Sequence, residues 1–285
     1  MAQVLVIGLG LIGGSLARDL RRCGHRVTAC GRDAARLAPA IGLGIVDAVV
    51  DAGAADWQAA VASADIVVLG VPVGSTREVY ARIRPHLAAD AVVTDVGSTK
   101  CSVVRDLKAL CGQLPARFVP AHPIAGTEHS GFAASVEGLF AGRTVVLTPT
   151  PDTDPAATAR VTALWQEVGA RVLSMTPEQH DAALALTSHL PQMLAYTLME
   201  QFAETPGALA PLAGSGFRSM TRLAGSDPVM WRDVSLANRA QLSLALRRYM
   251  ERLGELAAAV DAGDAARLEK LFAAAQAAHQ RLPPA

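Results

Sequence analysis

Apolar residues along the first 175 positions concentrate in short segments, at 4–7, 26–30, 65–70, 91–95, 118–121, 143–148 and 170–173, with only an occasional polar residue within or at the ends of each. Runs of this length, mostly apolar at consecutive positions, suit strands buried on both faces of a parallel sheet. Segments with helical spacing separate them: Leu16 to Arg22, residues 56–62, Val79 to Ile83, the face formed by Val103, Val104, Leu107 and Leu110, and residues 154–168. The alternation predicts an α/β fold, a Rossmann-like doubly wound sheet with all seven runs as strands. Past Met175 the runs stop. Thr176 and Pro177 open a helix as cap and first-turn proline. Leu242, Leu246, Tyr249, Leu253, Leu256 and Val260 recur in steps of four and three along another. Such a stripe is core or subunit interface. A final alanine-rich helix covers 271–282. The expectation is two domains, a sheet domain over 1–173 and an all-helical domain over 174–285, the second forming a homodimer through its stripe.

Composition narrows the function classes. The chain is 51% hydrophobic, and its 26 basic residues balance 26 acidic ones. That balance gives no electrostatic reason to expect nucleic acid or an anionic membrane as partner. No apolar run reaches the roughly 18 residues of a membrane span. The first strand also starts too near Met1 for a cleavable leader to be expected. Cys23, Cys30, Cys101 and Cys111 form no C-x-x-C pair and no metal-ligand spacing. They read as reduced thiols of a soluble cytoplasmic protein.

The turn behind the first run carries candidate chemistry. In Gly8-Leu9-Gly10-Leu11-Ile12-Gly13, Gly8 permits a sharp turn and Gly10 removes the side chain that would keep a pyrophosphate off the backbone. Gly13 lets helix and strand pack closely. Phosphates would then meet the free amides of Leu11, Ile12 and Gly13, where the helix dipole favours negative charge. An ordinary glycine-rich turn is the bland alternative, but the motif's place between strand and helix argues for a dinucleotide. The second run ends at Gly31, followed by Arg32, where NAD sites carry an acid for the ribose hydroxyl. A guanidinium suits a 2′-phosphate. The sequence therefore favours NADP, with NAD as the alternative if Asp33 supplies the acid instead of capping the next helix. Val71, Pro72 and Ser75 end the 65–70 run over the cofactor, and Ser75 is also placed to cap the helix behind it.

His122 stands where the 118–121 run enters a loop. There a histidine is either a catalytic base or a group that bonds a neighbouring loop. Gly97 and Ser98 lie at another strand's carboxyl end, on the crevice side. Two polar clusters in the helical half, Thr187 to Gln192 and Gly214 to Asp233, are not explained by amphipathic packing. Within the second, Arg222 is a candidate carboxylate anchor or a structural ion pair. Arg232, directly before Asp233, reads as an ion pair.

Five segments, Gly8 to Ser15, Asp95-Val96-Gly97-Ser98-Thr99-Lys100, His122-Pro123-Ile124-Ala125-Gly126-Thr127-Glu128, Ser188-His189-Leu190-Pro191 and Asp227 to Asp233, together resemble the prephenate/arogenate dehydrogenase family of tyrosine biosynthesis. They match in order along nearly the whole chain. The resemblance implies oxidative decarboxylation of a cyclohexadienol by NAD(P)+, with a helical dimerisation domain completing the site. It makes His122 the catalytic histidine that takes the hydroxyl proton, and gives Ser98 the same hydroxyl or the imidazole to hold. It has Thr127 order the loop, puts His189 and Gln192 on the substrate, and makes Arg222 the carboxylate anchor. Gln192 departs from the second histidine many members carry, so use of both prephenate and arogenate is expected. A β-hydroxyacid or imine reductase would place a lysine on the helical domain, yet Lys270 is the only lysine beyond Lys108. A non-catalytic dinucleotide sensor would leave His122 and Arg222 without a task.

Overall fold

The computed structural model describes residues 1–126, 131–205, 207 and 209–282. Six strands, β1 (Gln3–Ile7), β2 (Arg26–Gly31), β3 (Ala48–Asp51), β4 (Ile66–Leu69), β5 (Val92–Asp95) and β6 (Phe118–Val119), form a parallel sheet in the order β3-β2-β1-β4-β5-β6. Alternate residues face opposite sides, which explains why both parities are apolar. Val4, Val6, Ile66 and Val68 pack with Leu16, Leu20 and Trp165, while Leu5, Ile7, Val67 and Leu69 pack with Tyr80, Ile83 and Leu107. Strand order reverses between β1 and β4, so a crevice opens there at the carboxyl ends.

The last runs do not join this sheet, contrary to the sequence expectation. β7 (Ala121–Pro123), β8 (Thr144–Leu147) and β9 (Arg171–Ser174) form a separate three-stranded sheet, with β7 antiparallel to β8. Pro120 divides the 118–121 run because it has no N–H for a ladder. Phe118 and Val119 pair with β5, and the chain then turns away to pair His122 with Val146. The apolar pattern does not predict the short edge strand β3. All four of its residues are only half-buried, so no sharp apolar run marks it.

Helix Leu11–Arg22 starts at Gly10 with no side-chain cap and no acidic residue in its first turn. Further along, Thr176 and Gln179 form a reciprocal capping box at the start of helix Pro177–Leu184. This helix runs through a π turn, Ala185–His189, into Leu190–Glu204. Pro191 has no N–H to offer the Thr187 carbonyl four residues back, so the helical ladder opens and widens at that point.

By compactness the chain divides into Met1–Arg239 and Ala240–Ala285. The second unit holds most of helix Arg239–Asp261, and helix Ala265–His279, whose first turn Asp264 caps through the Arg267 amide at 3.0 Å. Its apolar stripe is unevenly covered: Leu242 is buried, whereas Leu253 is 50% and Val260 59% exposed. Among the described residues no helix is long and apolar enough to cross a membrane.

The fingerprint turn sets a test of the fold. A Cβ on Gly13 would lie 2.5 Å from the Gly8 carbonyl oxygen and 3.2 Å from a Val6 methyl, so Gly13→Ala should lower stability by about 1–3 kcal/mol in urea unfolding. An unchanged midpoint would show that helix and strand do not need this contact.

Candidate active site

A cleft of about 460 Å³ lies at the carboxyl ends of β1, β2 and β4, lined among others by Gly8, Gly10, Gly31, Arg32, Val71, Pro72 and Ser75. Each fingerprint glycine meets its own constraint. Gly8 has φ +94° and its Cβ would strike the Gly70 carbonyl at 2.6 Å, whereas a Cβ on Gly10 would meet nothing within 4 Å. Gly10 therefore fronts open space beside the uncapped amides of the helix start, a cradle that fits a pyrophosphate. Leu11, Ile12 and Gly13 belong to that first turn and do not line the cleft.

At the far end Arg32 is exposed, and Arg82 lies over the Trp57 ring at 5.1 Å while donating to the Ala52 carbonyl at 2.8 Å. The Asp33 carboxylate accepts the Arg36 amide at 3.1 Å, which is the helix-cap role. Ser75 precedes helix Thr76–Ile83, but its hydroxyl makes no cap bond, so the capping expected of it is absent and it only lines the cleft.

His122 lies on β7, fixed by a buried polar lattice. Asp95, at the end of β5, accepts the Gly97 amide at 2.9 Å, the Ala121 amide at 3.1 Å and the Lys100 ammonium. Lys100 Nζ also donates to the Ala121 carbonyl at 2.7 Å. The Asp-Val-Gly-Ser-Thr-Lys segment thus clamps the residue next to His122, and its lysine is a structural cation. Burial pulls that ammonium below its ordinary value, against the Asp95 and Asp181 carboxylates that favour it. Two charges inside a protein persist only when hydrogen bonds compensate their burial; here Asp95 accepts three donors and Lys100 Nζ donates to two oxygens.

The ring of His122 meets a second histidine. His122 Nδ1 lies 2.8 Å from His180 Nε2, and His180 Nδ1 lies 2.7 Å from Asp181 Oδ1. Asp181 also accepts the backbone amides of Lys100 at 2.8 Å and Cys101 at 3.0 Å. Burial would raise this carboxyl, but His180 and the two amides together hold it below the ordinary value. Burial first, and then any positive charge on His180, Lys100 or His189, pulls His122 well below the usual histidine range, which favours its neutral form. Cys101 is pushed up to about 12, by burial first and then by Asp181, which leaves it an unreactive thiol.

On the same helix, the π turn ends at His189. The Asn238 amide donates to the Asp181 carbonyl at 2.8 Å and lies 3.1 Å from His189 Nδ1. Nδ1 is then an acceptor, and Nε2 carries the proton. Burial lowers His189 to about 4, with Asp181 and the Ser98 main chain opposing. Among the described residues the Trp231 indole nitrogen is buried without a hydrogen-bond partner, and His189 Nε2 has none of good geometry although it faces the Ser98 main chain; the two rings stand edge to face at 5.9 Å. Gln192 is buried and donates to the Leu223 carbonyl at 2.7 Å, on the turn Arg222–Gly225 that Arg222 opens. Arg222 is exposed, and Arg232 pairs with Asp233 at 2.7 Å as expected. Thr127 lies outside the described residues.

His189 thus acts electrostatically on His122 and meets the main chain of Ser98, with Gln192 three residues further along the helix from His189. The sequence pattern does not single out His180, Asp181, Asn238 or Trp231. One signal was available. Pro177, His180, Asp181, Leu184 and Ala185 form the buried face of their helix, and an ionisable pair inside a buried stripe requires partners.

Two family models match the chain: "Prephenate dehydrogenase, nucleotide-binding domain" over residues 16–174 and "Prephenate dehydrogenase, dimerization domain" over 176–274. A cyclohexadienyl dehydrogenase of Zymomonas mobilis is 37% identical, the match covering 98% of this chain and 96% of that protein. A prephenate dehydrogenase of Bacillus subtilis is 32% identical over 98% of this chain and 76% of its own length. Among solved structures, the Aquifex aeolicus prephenate dehydrogenase in complex with hydroxyphenyl propionate and NAD+ superposes with a TM-score of 0.92 at 34% identity, covering 99% of each chain. With fold, cleft and full-length similarity in agreement, this chain belongs to the prephenate dehydrogenase family and is an oxidoreductase with a nicotinamide dinucleotide site.

Proposed function

We propose that the chain catalyses the oxidative decarboxylation of prephenate, arogenate or both, to 4-hydroxyphenylpyruvate or tyrosine. The observation that carries this reading is a neutral, part-exposed histidine, His122, anchored through Nδ1 beside His189 in a fold that also provides a dinucleotide cradle. The bound nicotinamide would supply the hydride acceptor. His122 Nε2 takes the proton of the ring hydroxyl as hydride leaves that carbon, and loss of the ring carboxylate as CO2 makes the product aromatic. Ser98 holds the hydroxyl or the imidazole. Arg222 anchors a carboxylate, and Thr127 orders the loop behind His122. The His189 Nε2–H, which makes no hydrogen bond of good geometry among the described residues, suits a substrate oxygen. Gln192 directs an amide donor to Leu223, and an amide tolerates a keto or an amino side chain.

At the cofactor's adenosine end we favour NADP, with NAD as the alternative. Arg32 and Arg82 both line the cleft, the strand tip carries no carboxylate, and Asp33 serves as a cap. Residues 1–173 form the dinucleotide-binding part in this reading, and 174–285 the helical substrate and dimerisation part. A homodimer would cover the exposed Met250, Leu253, Val260 and Phe272 of the second unit. Four unpaired thiols suit the cytoplasm.

Initial rates of dinucleotide reduction with each substrate and each cofactor test the reading. Turnover with at least one substrate, faster with NADP, is expected; no reduction with either would overturn it. His122→Asn should slow turnover about 10²–10⁴-fold with dinucleotide affinity unchanged, and wild-type turnover would remove it as the base. Arg222→Lys should raise the substrate KM by about tenfold because an ammonium lacks the planar fork. An unchanged KM would assign that arginine a structural role.

A further inference from the structure

We propose that His180 and Asp181 are positioning residues for His122: they hold its ring with the proton on Nδ1 and the lone pair on Nε2, and they share the charge it acquires. This rests on the reading of His122 as the base. The argument starts at Asp181, whose carboxylate accepts two backbone amides, Lys100 at 2.8 Å and Cys101 at 3.0 Å. The two amides only donate and, together with His180, hold this carboxyl below its ordinary value, so it is an ionised acceptor and His180 Nδ1, at 2.7 Å, carries the hydrogen. A neutral His180 then presents its lone pair at Nε2, 2.8 Å from His122 Nδ1. Two lone pairs do not share a hydrogen bond, so His122 Nδ1 donates and its Nε2 is left as the basic nitrogen. His180 and Asp181 are both buried, so the two rings have little freedom to exchange these roles.

The charge follows the same line. When the substrate's O–H bond breaks, an N–H bond forms at His122 Nε2 and no proton leaves the pair of rings. The new cation lies against the His180 lone pair and, through that ring, the Asp181 carboxylate. Among the described residues, Lys100, which Asp95 holds on the loop after β5, opposes that cation, and so would His180 or His189 if either ring were itself protonated. The partner strand β8 faces His122 with Val146, which offers no charge. Among the described residues, Asp181 is the carboxylate that reaches His122 through the His180 ring, the part an orienting carboxylate plays behind other catalytic histidines.

The test compares kcat–pH profiles of the full-length enzyme with those of His180→Gln, Asp181→Asn and the double variant. In His180→Gln the introduced amide can bond His122 but passes nothing to Asp181. The expected result is a loss of kcat of at least about tenfold, an acid limb displaced to lower pH, an unchanged KM for the dinucleotide, and a double variant no slower than the slower single one. A purely structural role would lower the folded fraction or raise KM and leave the limb in place, overturning the proposal. Additive losses in the double variant would overturn it too. If Asp181→Asn does not fold, His180→Asn, whose shorter side chain reaches Asp181 but not His122, must show the same displaced limb. A slow His122→Asn enzyme beside an unmoved limb in His180→Gln refutes the positioning pair alone; a fast His122→Asn enzyme refutes the base reading itself.

Discussion

One buried carboxylate holds the site together. Asp181 stands on the first turns of the helix that follows the small sheet, yet two of its hydrogen bonds go to the amides that open helix Cys101–Cys111 at the end of β5. A third goes to His180, and the carbonyl of the same residue accepts Asn238. An ionised group so deep in the protein would cost several kcal/mol without such partners. That cost makes the arrangement specific. The strand-end loop, the helix and the segment at residue 238 satisfy Asp181 together, and in that placement His189 lies within electrostatic reach of His122.

A second buried charge pair does for the strand what Asp181 does for the helix. Asp95 and Lys100 grip Ala121 by its amide and its carbonyl, so the residue before His122 cannot slide. Both clamps use the loop that contains Ser98. Its short Gly-Ser-Thr sequence lets the backbone reach two partners at once, which explains why a loop only a few residues long influences every polar group around the base.

What the sequence reveals follows from where each signal is written. The β1 turn is legible because backbone geometry alone dictates it: the positive φ of Gly8, the close approach at Gly13 and the open space at Gly10 are each a demand for glycine at one position. Buried parallel strands are legible because both their faces are apolar. The split at Pro120 is hidden although the proline is visible, since the apolar run continues on both sides of it. β3 has too few buried residues to show a pattern. The roles of His180, Asp181, Asn238 and Trp231 depend on contacts between residues up to 81 positions apart, and no local spacing encodes them. His122 stands out by its place at a strand end, but its neutral state is a property of the partners that fold around it.

The account depends on His122 being neutral and carrying its proton on Nδ1. Nitrogen-15 NMR of histidine-labelled protein at about pH 6, where an ordinary histidine is mostly protonated, reads both properties directly. The account predicts for His122 one protonated nitrogen, assigned to Nδ1, and one bare nitrogen, Nε2. Two protonated nitrogens, or the proton found on Nε2, would contradict it.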